Sequence, residues 1–170
     1  ADLIAFTAGE PDFNTPDFIV ESAITALKRG YTKYTASAGI PELRKAVAEK
    51  FRKDNGLICD ESNIVVSCGA KASLYHALLA LIDDGDEVIV PSPYWVTYTE
   101  QIKLCGGTPV AVRAKKENAY KMTAEEFERA VTPRTKALLI NSPCNPTGAV
   151  YSKAELISLA QVCEKYGLYI

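Results

Sequence analysis

A chain of 170 residues suits one domain, and at that length folding removes about 70% of the unfolded surface from water. With 48% apolar residues, 24% charged residues and a net charge of −2, the composition is that of a soluble globular protein and gives no electrostatic case for nucleic acid or an anionic membrane surface. No apolar run approaches the ~20 residues of a membrane span, and Ala1 to Phe6 lack the basic and apolar regions of a signal peptide, so a cytoplasmic location is expected.

The five cysteines, Cys59, Cys68, Cys105, Cys144 and Cys163, are odd in number and form no Cys-x-x-Cys pair. That favours free thiols in a reducing compartment over disulfides or a metal site.

After the apolar lead 1–6, residues 7–16 form a turn-rich stretch in which Gly9 can bring a backbone amide close to a ligand; a plain turn glycine is the commoner case. Thr15 reads as the N-cap of a helix over 17–29, with Pro16 at its first position and Gly30 ending it. Residues 31–39 are a polar loop with two tyrosines, too long and aromatic for a minimal connector, and Pro41 starts a helix through Leu43, Val47 and Phe51.

From Ile64 the pattern alternates between strand and helix. The run 64–67 is β-branched and reads as a strand, 68–71 as a tight turn and 72–81 as an apolar helix. A strand turning through Gly69 into a helix N-terminus offers backbone N–H groups and the positive end of a dipole to a phosphate, and Lys71 adds a charge, although many such turns carry a lone glycine. The turn 83–86 precedes a strand at 87–90 that ends in Pro-Ser-Pro-Tyr-Trp, where Trp95, the only tryptophan, either packs or stacks on a planar ligand. A helix at 96–105, a strand at 109–113 and a polar excursion at 115–120 follow. Thr123 and Glu126 form a capping box for a helix over 124–131. The apolar run 136–140 reads as a buried strand leading into Asn-Ser-Pro-Cys-Asn-Pro-Thr-Gly at 141–148, a helix at 152–166 and a new strand from Leu168.

Repeated strand-helix units with short loops imply an α/β fold, a mainly parallel sheet with helices on both faces. The loops 68–71, 91–95 and 141–148 all follow strands and so gather at the edge where such sheets bind ligands. Two prolines and Gly148 fix the 141–148 backbone and leave the Asn145 amide free to point at something; the plainer reading is a rigid connector. Cys144 invites a nucleophile reading, but the only histidine, His76, sits in an apolar helical run, so the thiol reads as incidental. Phosphate site, aromatic plate and directed amide together suit a flat phosphorylated cofactor.

These pieces, Ala8-Gly9-Glu10-Pro11-Asp12-Phe13, the stretch 34–44, Gly69-Ala70-Lys71, Ser92-Pro93-Tyr94-Trp95 and 141–148, resemble in that order the class I and II aminotransferases, pyridoxal-phosphate enzymes of fold type I, and within them the bacterial aspartate aminotransferases. The resemblance covers essentially the whole chain. It implies that Gly69, Ala70 and Lys71 hold the cofactor phosphate, that Trp95 stacks on the pyridine ring and borders the substrate, and that Asn145 bonds the ring hydroxyl. Gly9 and Asn145 would line the substrate carboxylate, and Tyr34 would reach the cofactor phosphate in the other subunit of a homodimer. Residues 1–55 would be an N-terminal segment with the substrate-contacting turn, and 56–170 the first part of the cofactor-binding large domain.

In the family, the lysine that binds the cofactor covalently, the aspartate at the pyridine nitrogen and the arginine that clamps the substrate carboxylate all come later than Ile170. The sequence therefore reads as an internal segment with cofactor and substrate contacts but no catalytic residue, expected not to transaminate alone. The complete enzyme would transaminate between an aspartate-like or aromatic amino acid and a 2-oxo acid by a ping-pong route. A carbon-sulfur β-lyase on the same scaffold and a pyridoxal-phosphate sensor domain of a transcription regulator remain alternatives. A nucleotide-binding dehydrogenase is disfavoured because no Gly-x-Gly-x-x-Gly follows a strand. Aiming Trp95 and Asn145 into one site requires sharp turns, so the Ser92-Pro93 and Asn145-Pro146 bonds are predicted to be cis, as the resemblance also implies. Gly69, Ala70, Trp95 and Asn145 are expected around one pocket.

Overall fold

A computed structural model describes residues 9–170, which divide into two compact units, one running to Val66 and the other from Ser67 to Ile170. The apolar lead 1–6 and Ala8, the first residue of the Gly9 motif, lie outside the described residues.

The first unit holds α1 (Asp17–Lys28) and α2 (Pro41–Asn55). The expected Thr15 cap is not made. Pro16 is itself the N-cap, extended at φ −54 and ψ 138, and its carbonyl accepts from the Ile19 and Val20 amides. Pro41 does open α2, and Gly56 closes it in the left-handed conformation at φ 66. The predicted strand at 64–67 is absent. Its backbone is paired locally, the Ile64 carbonyl with Arg44 Nε at 2.9 Å and the Val66 amide with the Ala38 carbonyl at 2.9 Å, so no ladder forms. At Gly39 φ is +101 and an added Cβ would meet Val66 Cγ2 at 2.8 Å, so only glycine fits that crossing.

The second unit contains α3 (Ala70–Leu81), β1 (Glu87–Ser92), α4 (Thr97–Leu104), β2 (Thr108–Arg113), α5 (Ala124–Ala130), β3 (Thr135–Leu138) and α6 (Lys153–Tyr166). The three strands form a parallel sheet in the order β2-β1-β3, with Glu87 opposite Thr108 and Val88 opposite Ala137. Tyr169 bridges Ala137 in parallel, the start of the strand expected from Leu168.

Alternation along β1 explains why both faces are covered. Val88 and Val90 pack with Leu78 of α3 and Ile102 of α4, whereas Ile89 joins Leu138, Phe127 of α5 and Leu159 and Val162 of α6. Val88, Ile89, Ile102 and Phe127 are fully buried, and burial of each such side chain contributes ~1.5–3 kcal/mol. The α/β architecture with helices on both faces is thus the one expected. Thr123 and Glu126 form the predicted capping box, and Ser152 with Glu155 forms another at α6. No helix among the described residues is long and apolar enough to cross a membrane.

Candidate functional site

Helix α3 runs down to the turn that starts β1, so its N-terminus lies level with the carboxyl end of the sheet. Gly69 is its N-cap at φ 85 and ψ 166, a backbone region that L side chains rarely adopt, and no side chain caps the helix. The first-turn amides of α3 therefore keep their donors, reinforced by the dipole. Gly69, Ala70 and Lys71 are all exposed.

Lys71 reaches across to the loop that follows β1. Its Nζ lies 4.8 Å from the centroid of the Trp95 ring, so the phosphate-type turn and the tryptophan share one side of the molecule. The half-buried Trp95 ring is met edge-on by Tyr98 at 5.4 Å and 83°. Beneath them, Gln101 Nε2 on α4 donates to the Lys71 carbonyl at 2.8 Å.

The loop after β3 is held by its own bonds. Asn141 Oδ1 accepts from the Asn145 amide at 2.8 Å, Gly148 N donates to the Cys144 carbonyl at 2.7 Å, and Tyr151 N donates to Ser142 Oγ at 3.1 Å. The Asn145 side chain stands exposed on this braced turn. The Cys144 thiol donates weakly to the Pro93 carbonyl at 3.6 Å, which ties this loop to the one carrying Trp95. Ser92-Pro93 and Asn145-Pro146 are cis as predicted, and Ser142-Pro143 is a third cis bond that was not anticipated.

A cleft between the two loops is lined by Pro93, Tyr94, Tyr98, Asn141, Cys144 and Asn145. Of the four residues expected around one pocket, Asn145 lines this cleft and Gly69, Ala70 and Trp95 do not, although Trp95 meets Tyr98 of its lining and Lys71 meets Trp95. Burial pushes the Tyr98 phenol above its usual range, with Cys144 adding to the shift, and Tyr98 is neutral at physiological pH. Tyr151 is buried, its hydroxyl accepts from the Met122 amide at 2.8 Å, and burial raises its phenol too. Gly9 and Tyr34 belong to the first unit, where both are exposed loop residues.

Sequence reasoning did not single out Gln101 or Tyr98, because their partners lie far along the chain or across a loop. The available signal was a glutamine at a position that the helical period of α4 turns inward beside Ile102.

The profile of the family described as Aminotransferase class I and II matches residues 1–170. The chain is 56% identical over 169 residues to a probable aspartate/prephenate aminotransferase of Aquifex aeolicus, and 50% identical over 169 residues to the aspartate aminotransferase of Geobacillus stearothermophilus. Each alignment covers 99% of this chain and 43% of the relative, so the chain spans less than half the length of these relatives. Among solved structures, Thermus thermophilus aspartate aminotransferase with maleate superposes with a TM-score of 0.94 at 50% identity, covering 99% of this chain and 44% of that one. An aromatic aminotransferase from Pyrococcus horikoshii superposes with a TM-score of 0.94 at 42% identity, over 99% of this chain and 45% of that one. With this profile match along its whole length and a sheet edge that gathers the three loops, the chain belongs to the class I and II aminotransferase family.

Proposed function

We propose that this segment is the part of a pyridoxal-phosphate-dependent aminotransferase that grips the cofactor and contributes to the substrate site. The observation that carries the reading is the pairing of the uncapped α3 N-terminus with Lys71 poised over Trp95, an anion site one side chain away from an aromatic plate. These residues fit a planar phosphorylated group: the Gly69 and Ala70 turn has no heavy atom in front of Gly69, Lys71 supplies a cation, and Trp95 and Asn145 are presented on braced loops.

Gly69, Ala70 and Lys71 would hold the phosphate, Trp95 would cover the ring and Asn145 would hydrogen-bond its hydroxyl. Gly9, Trp95 and Asn145 would border the substrate, and Tyr34 would serve the neighbouring site of a homodimer. Residues 1–55 would form the N-terminal segment and 56–170 the first part of the large domain. The chemistry the cofactor supplies when bound is electron withdrawal from the amino acid's α-carbon. What this chain's residues supply is orientation: ring and substrate held in fixed register, worth more to rate than any single contact. The names of the relatives support aspartate as amino donor and prephenate as one 2-oxo acid acceptor.

The test uses the complete protein that carries this segment. Pyridoxal phosphate is expected to bind far more tightly than unphosphorylated pyridoxal, with turnover of aspartate against 2-oxoglutarate or prephenate. Equal affinity for the two pyridoxals would overturn the phosphate assignment, and elimination without amino transfer would favour a lyase.

A further inference from the structure

Gln101 is only 5% exposed, yet its Oε1 has no hydrogen-bond partner among the described residues. A buried acceptor left unpaired is costly, and an apolar side chain of the same length would avoid that cost. Packing alone does not explain an amide here. Its other half is used: Nε2 donates to the Lys71 carbonyl at 2.8 Å, a bond across 30 positions of sequence and in addition to the ladder of α3.

Lys71 is thus held twice, by its carbonyl to α4 and by its ammonium over the Trp95 ring. Helix α4 begins at Thr97, directly after the Trp95 loop, so one rigid element carries both the ring and the hold on the turn. We propose that Gln101 is a positioning residue that fixes the distance between the phosphate-binding turn and the stacking tryptophan, so that the phosphate and the ring of one cofactor are met together. The proposal rests on the cofactor reading above. It touches neither ligand nor reacting atoms and acts only through Lys71.

In the complete protein, Gln101→Met keeps the length and removes both the donor and the unpaired acceptor. The melting temperature of the cofactor-free protein is expected to stay level or rise, while the dissociation constant for pyridoxal phosphate, measured by equilibrium dialysis, rises about tenfold, the scale on which outer-shell supports act. Affinity for inorganic phosphate should change little, since the turn amides and Lys71 remain. Unchanged affinity for pyridoxal phosphate in Gln101→Met, with the wild type still preferring it to pyridoxal, overturns the proposal alone; a wild type without that preference brings down the cofactor reading as well. If Gln101→Met does not fold, Gln101→Glu decides. A neutral carboxyl can donate to the Lys71 carbonyl and a carboxylate cannot, so its affinity relative to wild type should fall as pH is raised from about 5 to about 8. A ratio flat with pH overturns the proposal.

Discussion

The two ends of the sheet are built on opposite plans. At the amino end the polar groups satisfy one another: Glu87, 4% exposed, accepts from Thr132 Oγ1 at 2.5 Å and from Arg134 Nη2 at 2.5 Å and Nε at 3.1 Å, while Lys136 stands 3.9 Å from Asp86. At the carboxyl end Lys71 and Asn145 are exposed and α3 begins without a cap. The contrast holds even between two helices of the carboxyl end. Helix α6 starts with a closed box of Ser152 and Glu155, the latter paired with Lys121 at 2.5 Å, so the Ser152 and Glu155 amides are taken and the helix start already carries an acidic side chain. Polar groups that answer one another stabilise; those left facing outward are the ones available to a ligand.

The largest expected effect of breaking this contrast lies at the amino end. Glu87→Ala strands Thr132 and removes a buried carboxylate with three charge-assisted bonds, and should cost about 2–3 kcal/mol in chemical denaturation while leaving cofactor affinity unchanged. The same carboxylate sets an acid limit. Its hydrogen bonds with Thr132 and Arg134 hold its carboxyl below the ordinary glutamate range, and Lys121 with Ser152 lowers Glu155 to about 2. A carboxyl depressed in the folded state stabilises above its unfolded value and loses that contribution as pH falls through the folded one. Stability should therefore decline as pH falls from about 4.5 toward about 2, and Glu87→Gln should make that decline shallower.

Asn145→Ala sharpens the other side. Removing an exposed side chain should alter the melting temperature little, whereas affinity for pyridoxal phosphate should fall about tenfold, ~1.4 kcal/mol, in a titration of the complete protein. The smallest effect is Ser152→Ala, which opens the α6 cap at a cost of ~1 kcal/mol of stability and should leave cofactor affinity untouched.

What was legible in the sequence was what the chain decides locally. Pro41 at the head of α2, the Thr123 and Glu126 box, the period of α6 and the glycine turn at Gly69 each carry their instruction within a few residues. The strand read at 64–67 failed because β-branched residues express only a preference, and here Arg44 and Ala38 took the backbone groups a neighbouring strand would need. The Thr15 cap failed by one residue, as helix ends commonly do. At the candidate site the types of residue were readable, but the hold of Gln101 on Lys71 and the link from Cys144 to Pro93 join positions 30 and 51 apart and exist only once the sheet has formed.

The most direct test of the carboxyl edge as a cofactor grip is the affinity of the Lys71→Ala protein, in its complete form, for pyridoxal phosphate and for pyridoxal side by side. Lys71 contributes a charge to the phosphate end, and a charge-assisted bond there is worth ~1.5–3 kcal/mol. The predicted result is a loss of about 10- to 100-fold for pyridoxal phosphate, little change for pyridoxal and an unaltered melting temperature. An equal loss for both compounds, or no loss for either, would contradict the account.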